Sequence, residues 1–172
     1  MFVVGHKVVY PSRGPCLVGA VVRKVIAGQP GNYYLLTTLD DAGDSVLVPL
    51  DKMSALGIRR LMTKSELARL LGRLALSSVK VPRWHQRAFA DLKRLRTGSA
   101  CDLADLIELL TDLNERRPLG PYERQALVKA RRILICARAE VAGESKHAAE
   151  ERLDHVLEAR KQRTAPPKAK TH

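Results

Sequence analysis

Trp84 is the only tryptophan of this 172-residue chain, and it stands among cations. It lies in the run Val81-Pro82-Arg83-Trp84-His85-Gln86-Arg87-Ala88-Phe89, which continues through Lys93, Arg94 and Arg96. A flat apolar ring among arginines suits a nucleic-acid duplex. The phosphates attract the guanidinium groups while the ring wedges against a base step. Arg83, Arg87 and Arg94 are the candidate contacts beside it. Pro82 resists continuing a preceding helix and is well tolerated in the first turn of a new one, so Trp84 is expected on a first helical turn near solvent. At 100° per residue, Ala88, Leu92 and Leu95 fall at roughly 40, 80 and 20° from Trp84, which sets the ring at the edge of an apolar face. An aromatic that closes its helix against a core has the same spacing and is the commoner case; spacing alone leaves both roles open.

A second cationic cluster comprises Arg124, Lys129, Arg131 and Arg132. Arg124 and Arg131 are two helical turns apart and share a face, with Lys129 and Arg132 displaced from it. A solvated charged face gives the same pattern, and Glu123 offsets part of the local charge. His85 can donate to a phosphate. His6, His147, His155 and His172 have no partners at ligand or catalytic spacing and are expected at the surface. Cys16, Cys101 and Cys136 are odd in number and widely spaced, so buried thiols in a reducing cytoplasm are expected rather than a zinc site or a disulfide framework. There is no clustered carboxylate or metal-ligand pattern, nor a nucleophile–base pair. The chain is therefore expected not to be an enzyme, and to need no metal, cofactor or small-molecule ligand.

The net charge of +12 favours a polyanionic partner over an acidic small substrate. It is uneven: residues 1–60 hold 7 Lys+Arg and 4 Asp+Glu, and the remainder holds 23 and 14. No apolar run reaches the roughly 18–20 residues of a membrane span, and no secretory signal pattern opens the chain, so a cytoplasmic protein is expected.

The elements that must position these residues fall into two groups. Up to about residue 60, short β-branched and aromatic stretches alternate with turn clusters. Phe2-Val3-Val4 and Lys7 to Tyr10 end at Pro11-Ser12-Arg13-Gly14-Pro15. Leu17 to Ile26 follows, with Gly19 permitting a bulge, and then a turn over Ala27-Gly28-Gln29-Pro30-Gly31-Asn32. Tyr33 to Leu39 and Ser45 to Val48 complete four strands, and a fifth is expected around Gly57-Ile58-Arg59. Five short strands suggest a small barrel. From residue 61 the period becomes helical. Thr63-Lys64-Ser65-Glu66 has capping-box spacing before Leu67, Leu70, Leu71 and Leu74. Ser77 to Lys80 leads into the tryptophan helix, which ends at Thr97-Gly98. Asp102 is a candidate cap for the helix carrying Leu103, Leu106, Ile107, Leu110 and Leu113, and Pro118 stops it. A helix from Pro121 runs through Ala137, and another from about Ser145 carries Leu153, Val156 and Leu157. The expected class is α+β: a five-stranded β-barrel (residues 1–60), an all-α domain of about five helices (61–163) and a disordered basic tail (164–172).

Val4-Gly5-His6-Lys7-Val8-Val9-Tyr10-Pro11, then Gly14, with Val48-Pro49 later, resembles the polymerase-binding module of the bacterial CarD/CdnL transcription regulators. The transcription-repair coupling factor carries a related module. The tryptophan stretch, Leu103 to Leu113 and the run Arg124 to Leu134 resemble the same family, so the likeness spans about residues 1–160. It implies a Tudor-like barrel that adds its edge to the β subunit of RNA polymerase. It also implies a helical domain that binds promoter DNA at the upstream edge of the transcription bubble, without reading sequence, with a tryptophan wedged into the minor groove. Trp84 matches that tryptophan, and Arg87 and Arg124 fall where the family carries DNA-contacting basic residues. Lys24, Val46, Leu47, Val48 and Pro49 become the expected polymerase contacts, Leu47 standing where some members have an arginine. A monomer that stabilises the open complex is expected. The alternative is a protein–protein adaptor whose helices bind another protein rather than DNA.

Overall fold

The computed structural model describes residues 1–11, 13–76 and 100–164. Five strands, β1 (Lys7–Tyr10), β2 (Gly14–Ile26), β3 (Gln29–Thr38), β4 (Ser45–Pro49) and β5 (Arg59–Arg60), form one sheet in the order β4-β3-β2-β1-β5. Every pairing is antiparallel. The sheet is open, which corrects the expected barrel. β5 is two residues long and pairs with β1 alone, at Val8↔Arg60 and Val9↔Arg59. Side chains rather than a further strand ladder close this end of the core: Met53 and Ile58, from the connection between β4 and β5, are buried with Val8, Cys16, Val18, Tyr34, Leu36 and Val48.

Two sequence details bend the sheet as expected or more sharply. The β2–β3 register slips between Val18 and Val21, at Gly19, where a Cβ would stand 2.9 Å from the Leu35 carbonyl oxygen. Any side chain there meets backbone. The following turn is tighter than the expected Ala27–Asn32 span. Ala27 and Gly28 alone make it, at φ 52° and 78°, the positive pair that a two-residue hairpin turn requires. Residues 29–32 thereby join β3, and Pro30 is tolerated because β4 pairs with β3 only from Tyr33 to Thr37. Phe2-Val3-Val4 is not a strand. Phe2 packs against the sheet core instead, and its carbonyl accepts a 2.7 Å hydrogen bond from the Tyr34 hydroxyl.

Four helices follow among the described residues: α1 (Lys64–Leu76), α2 (Ala100–Arg116), α3 (Pro121–Ala142) and α4 (Lys146–Thr164). The capping box at α1 forms in both directions. The Thr63 N–H donates to Glu66 Oε2 at 2.7 Å, and the Glu66 N–H donates to Thr63 Oγ1 at 3.3 Å. Ser145 caps α4, its Oγ accepting from the Ala148 N–H at 3.1 Å. Asp102 lies within the first turn of α2, where its charge suits the dipole, rather than at the cap. The leucines expected to share faces do so: Leu70, Leu74, Leu103, Leu106, Ile107, Leu110, Leu113, Leu153 and Leu157 meet in one core with Ile133 and Leu134 of α3. Sheet and helices touch where α3 crosses β2, with a Cβ on Gly14 falling 3.7 Å from Ile133 Cγ1. Three ion pairs span the junction: Lys7–Glu140 at 2.7 Å, Arg132–Asp40 at 2.6 Å and Lys146–Asp41 at 2.6 Å.

Candidate functional site

Residues paired across antiparallel strands share a face, so the register sorts the candidate polymerase contacts. Val18↔Leu36, Leu36↔Val46 and Tyr34↔Val48 lie on the core face. Val22↔Tyr33↔Pro49, Leu35↔Leu47 and Lys24↔Gly31 lie on the other. Lys24 is exposed there, and Leu47 and Pro49 are half-buried. Val48 is only 1% exposed, so a partner meets its backbone and not its side chain. Val46, half-buried, packs against the core. At the other end of this outer face Val9 and Pro15 are buried. β4 is an edge strand, a ready template for a further strand.

The outer half of the β2–β3 hairpin adds residues that were not singled out from sequence: Val21, Val25 and Ile26 are 47%, 68% and 44% exposed. A signal was present. Val21-Val22 and Val25-Ile26 place apolar groups on both faces of a ribbon, so a single core cannot cover them all.

Helix α3 separates the cations that its sequence groups. Arg124 is exposed, and its Nη1 donates to the Leu119 carbonyl at 3.1 Å. Lys129 is exposed and makes no ion pair among the described residues. Arg131 is half-buried and held by Asp154 of α4 at 2.5 Å, and Arg132 reaches Asp40. Val128, 66% exposed, lies one turn from both Arg124 and Arg132. Trp84, Arg83, Arg87 and Arg94 lie outside the described residues, as does the expected tryptophan helix with its flanking residues 77–99 and the tail 165–172.

The titrating groups are structural in character. Burial works to raise the Asp40 carboxyl, but the Thr38 hydroxyl at 2.8 Å, the Gly43 N–H at 3.3 Å and the Arg132 charge hold it below the ordinary carboxylate range. Burial pushes the Cys16 thiol up to about 11 and raises Cys136 as well. Cys101 is exposed, contrary to the expectation of three buried thiols. Among the described residues no cluster of His, Cys, Asp and Glu could hold a metal ion, and no helix is long and apolar enough to cross a membrane.

Two family models match the chain: the CarD-like/TRCF RID domain over residues 2–62 and the CarD C-terminal domain over residues 73–154. The chain is 23% identical over 136 residues to "Putative transcription factor YdeB" of Bacillus subtilis (strain 168), a match covering 78% of this chain and 88% of that protein. It is 37% identical to the 72-residue N-terminal domain of Myxococcus xanthus CarD, solved by NMR in solution, over 35% of this chain and 79% of that one, with a TM-score of 0.30.

Proposed function

The chain belongs to the CarD-like family of transcription factors, and from that premise we propose that it regulates initiation by holding RNA polymerase and promoter DNA at once. Residues 1–60 bind the polymerase β subunit by strand addition at β4. The observation that carries this is the β4 edge position, with exposed Lys24 and half-buried Leu47 and Pro49 together on the face opposite the sheet core. Main-chain hydrogen bonds give such a contact its affinity, and the flanking side chains give it selectivity. Leu47 supplies apolar area where some relatives supply charge, and Lys24 keeps one cation beside it.

Residues 61–163 bind DNA at the upstream fork of the transcription bubble. Trp84 is the wedge. Arg83, Arg87 and Arg94 flank it, and Arg124 and Lys129 hold the phosphate backbone without reading sequence. Arg131 joins them only by leaving Asp154. Tethering to polymerase raises the local concentration of the helical part at the fork, so each contact can be weak alone. Polymerase has already interrupted stacking there, which removes much of the few kcal/mol that a wedge must otherwise overcome. The wedge stabilises the open complex by its preference for the melted fork over the duplex and by no more. A preference of about 1.4 kcal/mol lengthens the open-complex lifetime up to about tenfold. The protein acts as a non-enzymatic monomer in the bacterial cytoplasm, at the nucleoid.

The test is open-complex lifetime on one promoter with the cognate polymerase, for wild type and Trp84→Ala. Wild type prolongs the lifetime, and a folded Trp84→Ala protein that does not do so supports the wedge. Equal action by both proteins overturns it. The adaptor reading keeps one observation in its favour, since Arg131 and Arg132 are tied to carboxylates and leave less free cationic surface than the sequence suggests. It requires DNA affinity that is weak and nearly independent of salt, whereas phosphate contacts make affinity fall steeply with salt.

A further inference from the structure

Where β1, β5, α1, α2 and α3 converge lies a crevice of about 450 Å³. Its wall is apolar, built from Val9, Met62, Leu70, Leu103, Ile133 and Ala137. Its rim is cationic, with Arg59 and Arg60 on β5 and Arg69 and Arg73 on α1. Glu66 is the one carboxylate among the described lining residues, and it is engaged by the backbone and hydroxyl of Thr63. Arg73 is held by Asp105 at 2.6 Å, whereas Arg60 is exposed and makes no ion pair among the described residues.

The volume is that of a small-molecule site, and junctions between structural units are where such sites concentrate. An apolar wall holds water poorly, so a hydrocarbon chain displaces little that is well bound. A cation rim excludes a cationic head and favours an anionic one. A duplex is too wide to enter, and among the described residues no aromatic ring lines the crevice to stack a base, so the occupant we favour is not nucleic acid. We propose that this crevice binds a small amphipathic carboxylate, its apolar chain against Val9, Leu70 and Ile133 and its head on Arg60 and Arg69. Such a site has no local signature along the chain, because its lining comes from five separate elements. Occupancy bridges sheet and helices, and it depends on neither polymerase nor DNA.

The test uses the full chain and dodecanoate below its micelle concentration. Cys101 is exposed and lines the crevice, while Cys16 and Cys136 are buried, so alkylation at Cys101 reports occupancy directly. Dodecanoate is expected to bind one equivalent per chain and to slow Cys101 alkylation. At about a hundredfold excess over Kd it raises Tm by about 5 °C. Dodecyltrimethylammonium, with the opposite head charge, should do none of these. Arg60→Glu with Arg69→Glu changes two exposed side chains and is expected to weaken dodecanoate binding by about tenfold or more, with the unliganded Tm little changed. Uptake of many equivalents, an equal response to the cationic surfactant, or an unchanged Cys101 rate at saturation each overturns the proposal.

Discussion

Arg131, Arg132 and Arg138 of α3 each face a carboxylate, on Asp154, Asp40 and Glu144 respectively, whereas Arg23 and Lys24 of β2 face none among the described residues. Yet 23 of the 30 Lys+Arg residues lie beyond residue 60. The helical part consumes much of its charge internally, and it even carries charge in its core: Arg160 is buried between Glu108, also buried, and Asp112. The sheet interior is apolar apart from Thr38, and its charged and apolar side chains beyond Val18 in β2 turn outward. A count of cations therefore points to the kind of partner but not to the surface that meets it. The fold decides which cations remain available.

The largest expected effect lies at the buried network. Arg160→Ala removes the guanidinium that Asp112 and Glu108, the latter at 1% exposure, share, and stability should fall by about 3–5 kcal/mol in urea denaturation. Replacing Arg160, Glu108 and Asp112 together with Met, Leu and Asn removes the charges of the network and should recover much of that loss, since desolvation offsets much of what a buried pair gains. A loss under about 1 kcal/mol for Arg160→Ala would mean that the helical interior does not depend on this charge, and the contrast with the sheet would fail.

The junction comes next. Asp40 is held below its ordinary pKa, so its contribution to stability is fully present above the unfolded carboxylate value, near pH 4. That contribution is lost as pH falls through the lower folded value. Asp40→Asn should therefore lower stability by about 1–2 kcal/mol at neutral pH and by less at pH 3, because below the unfolded value part of the contribution is already lost. Denaturation at the two pH values reads the difference. An equal loss at both would assign the effect to the neutral hydrogen bonds with Thr38 and Gly43 rather than to Arg132.

Single-sequence patterns were clearest where a local rule sufficed. The Thr63–Glu66 box, the helical leucine faces and the Gly19 irregularity each depend on neighbours within a few residues or on one missing Cβ, and all appear in the fold. That the sheet stays open was less legible, because it turns on β5, whose two paired residues are too few for a periodic signal, and on Met53 and Ile58 filling the end of the core. The candidate site divides in the same way. The family motif pointed to β4, and strand alternation then separated Leu47 from Val48. The loss of Arg131 to Asp154 was not legible, because the two are 23 positions apart and meet only through the packing of α3 on α4.

Smaller effects sharpen the difference between tied and free cations. Arg131→Ala should change stability by about 0–1 kcal/mol, as exposed pairs do, and should leave the salt dependence of DNA binding nearly unaltered. Lys129→Ala should leave stability within about 0.5 kcal/mol and reduce the slope of log affinity against log salt by about 1. The reverse pattern would make the Asp154 pair dispensable and return Arg131 to the DNA surface.

The smallest expected effect sits at the tip of the β2–β3 hairpin and has the opposite sign. Ala27 holds φ at 52°, where its Cβ crowds the following carbonyl oxygen, and the helical part has no comparable non-glycine residue among those described. Ala27→Gly removes that crowding but gives the unfolded chain more freedom to lose, so the two terms partly cancel. A net gain of about 0.5 kcal/mol is expected. Asn, which tolerates this region and restricts the unfolded chain more than Gly, should do at least as well. Hydrogen exchange over residues 21–32 separates a local from a global gain. This ribbon has little burial beyond Val18, so protection should rise there while the helices stay as they were. If protection instead rises throughout the helices, the hairpin is coupled to them through the junction, and the sheet's outward-facing half is less independent than its exposure suggests.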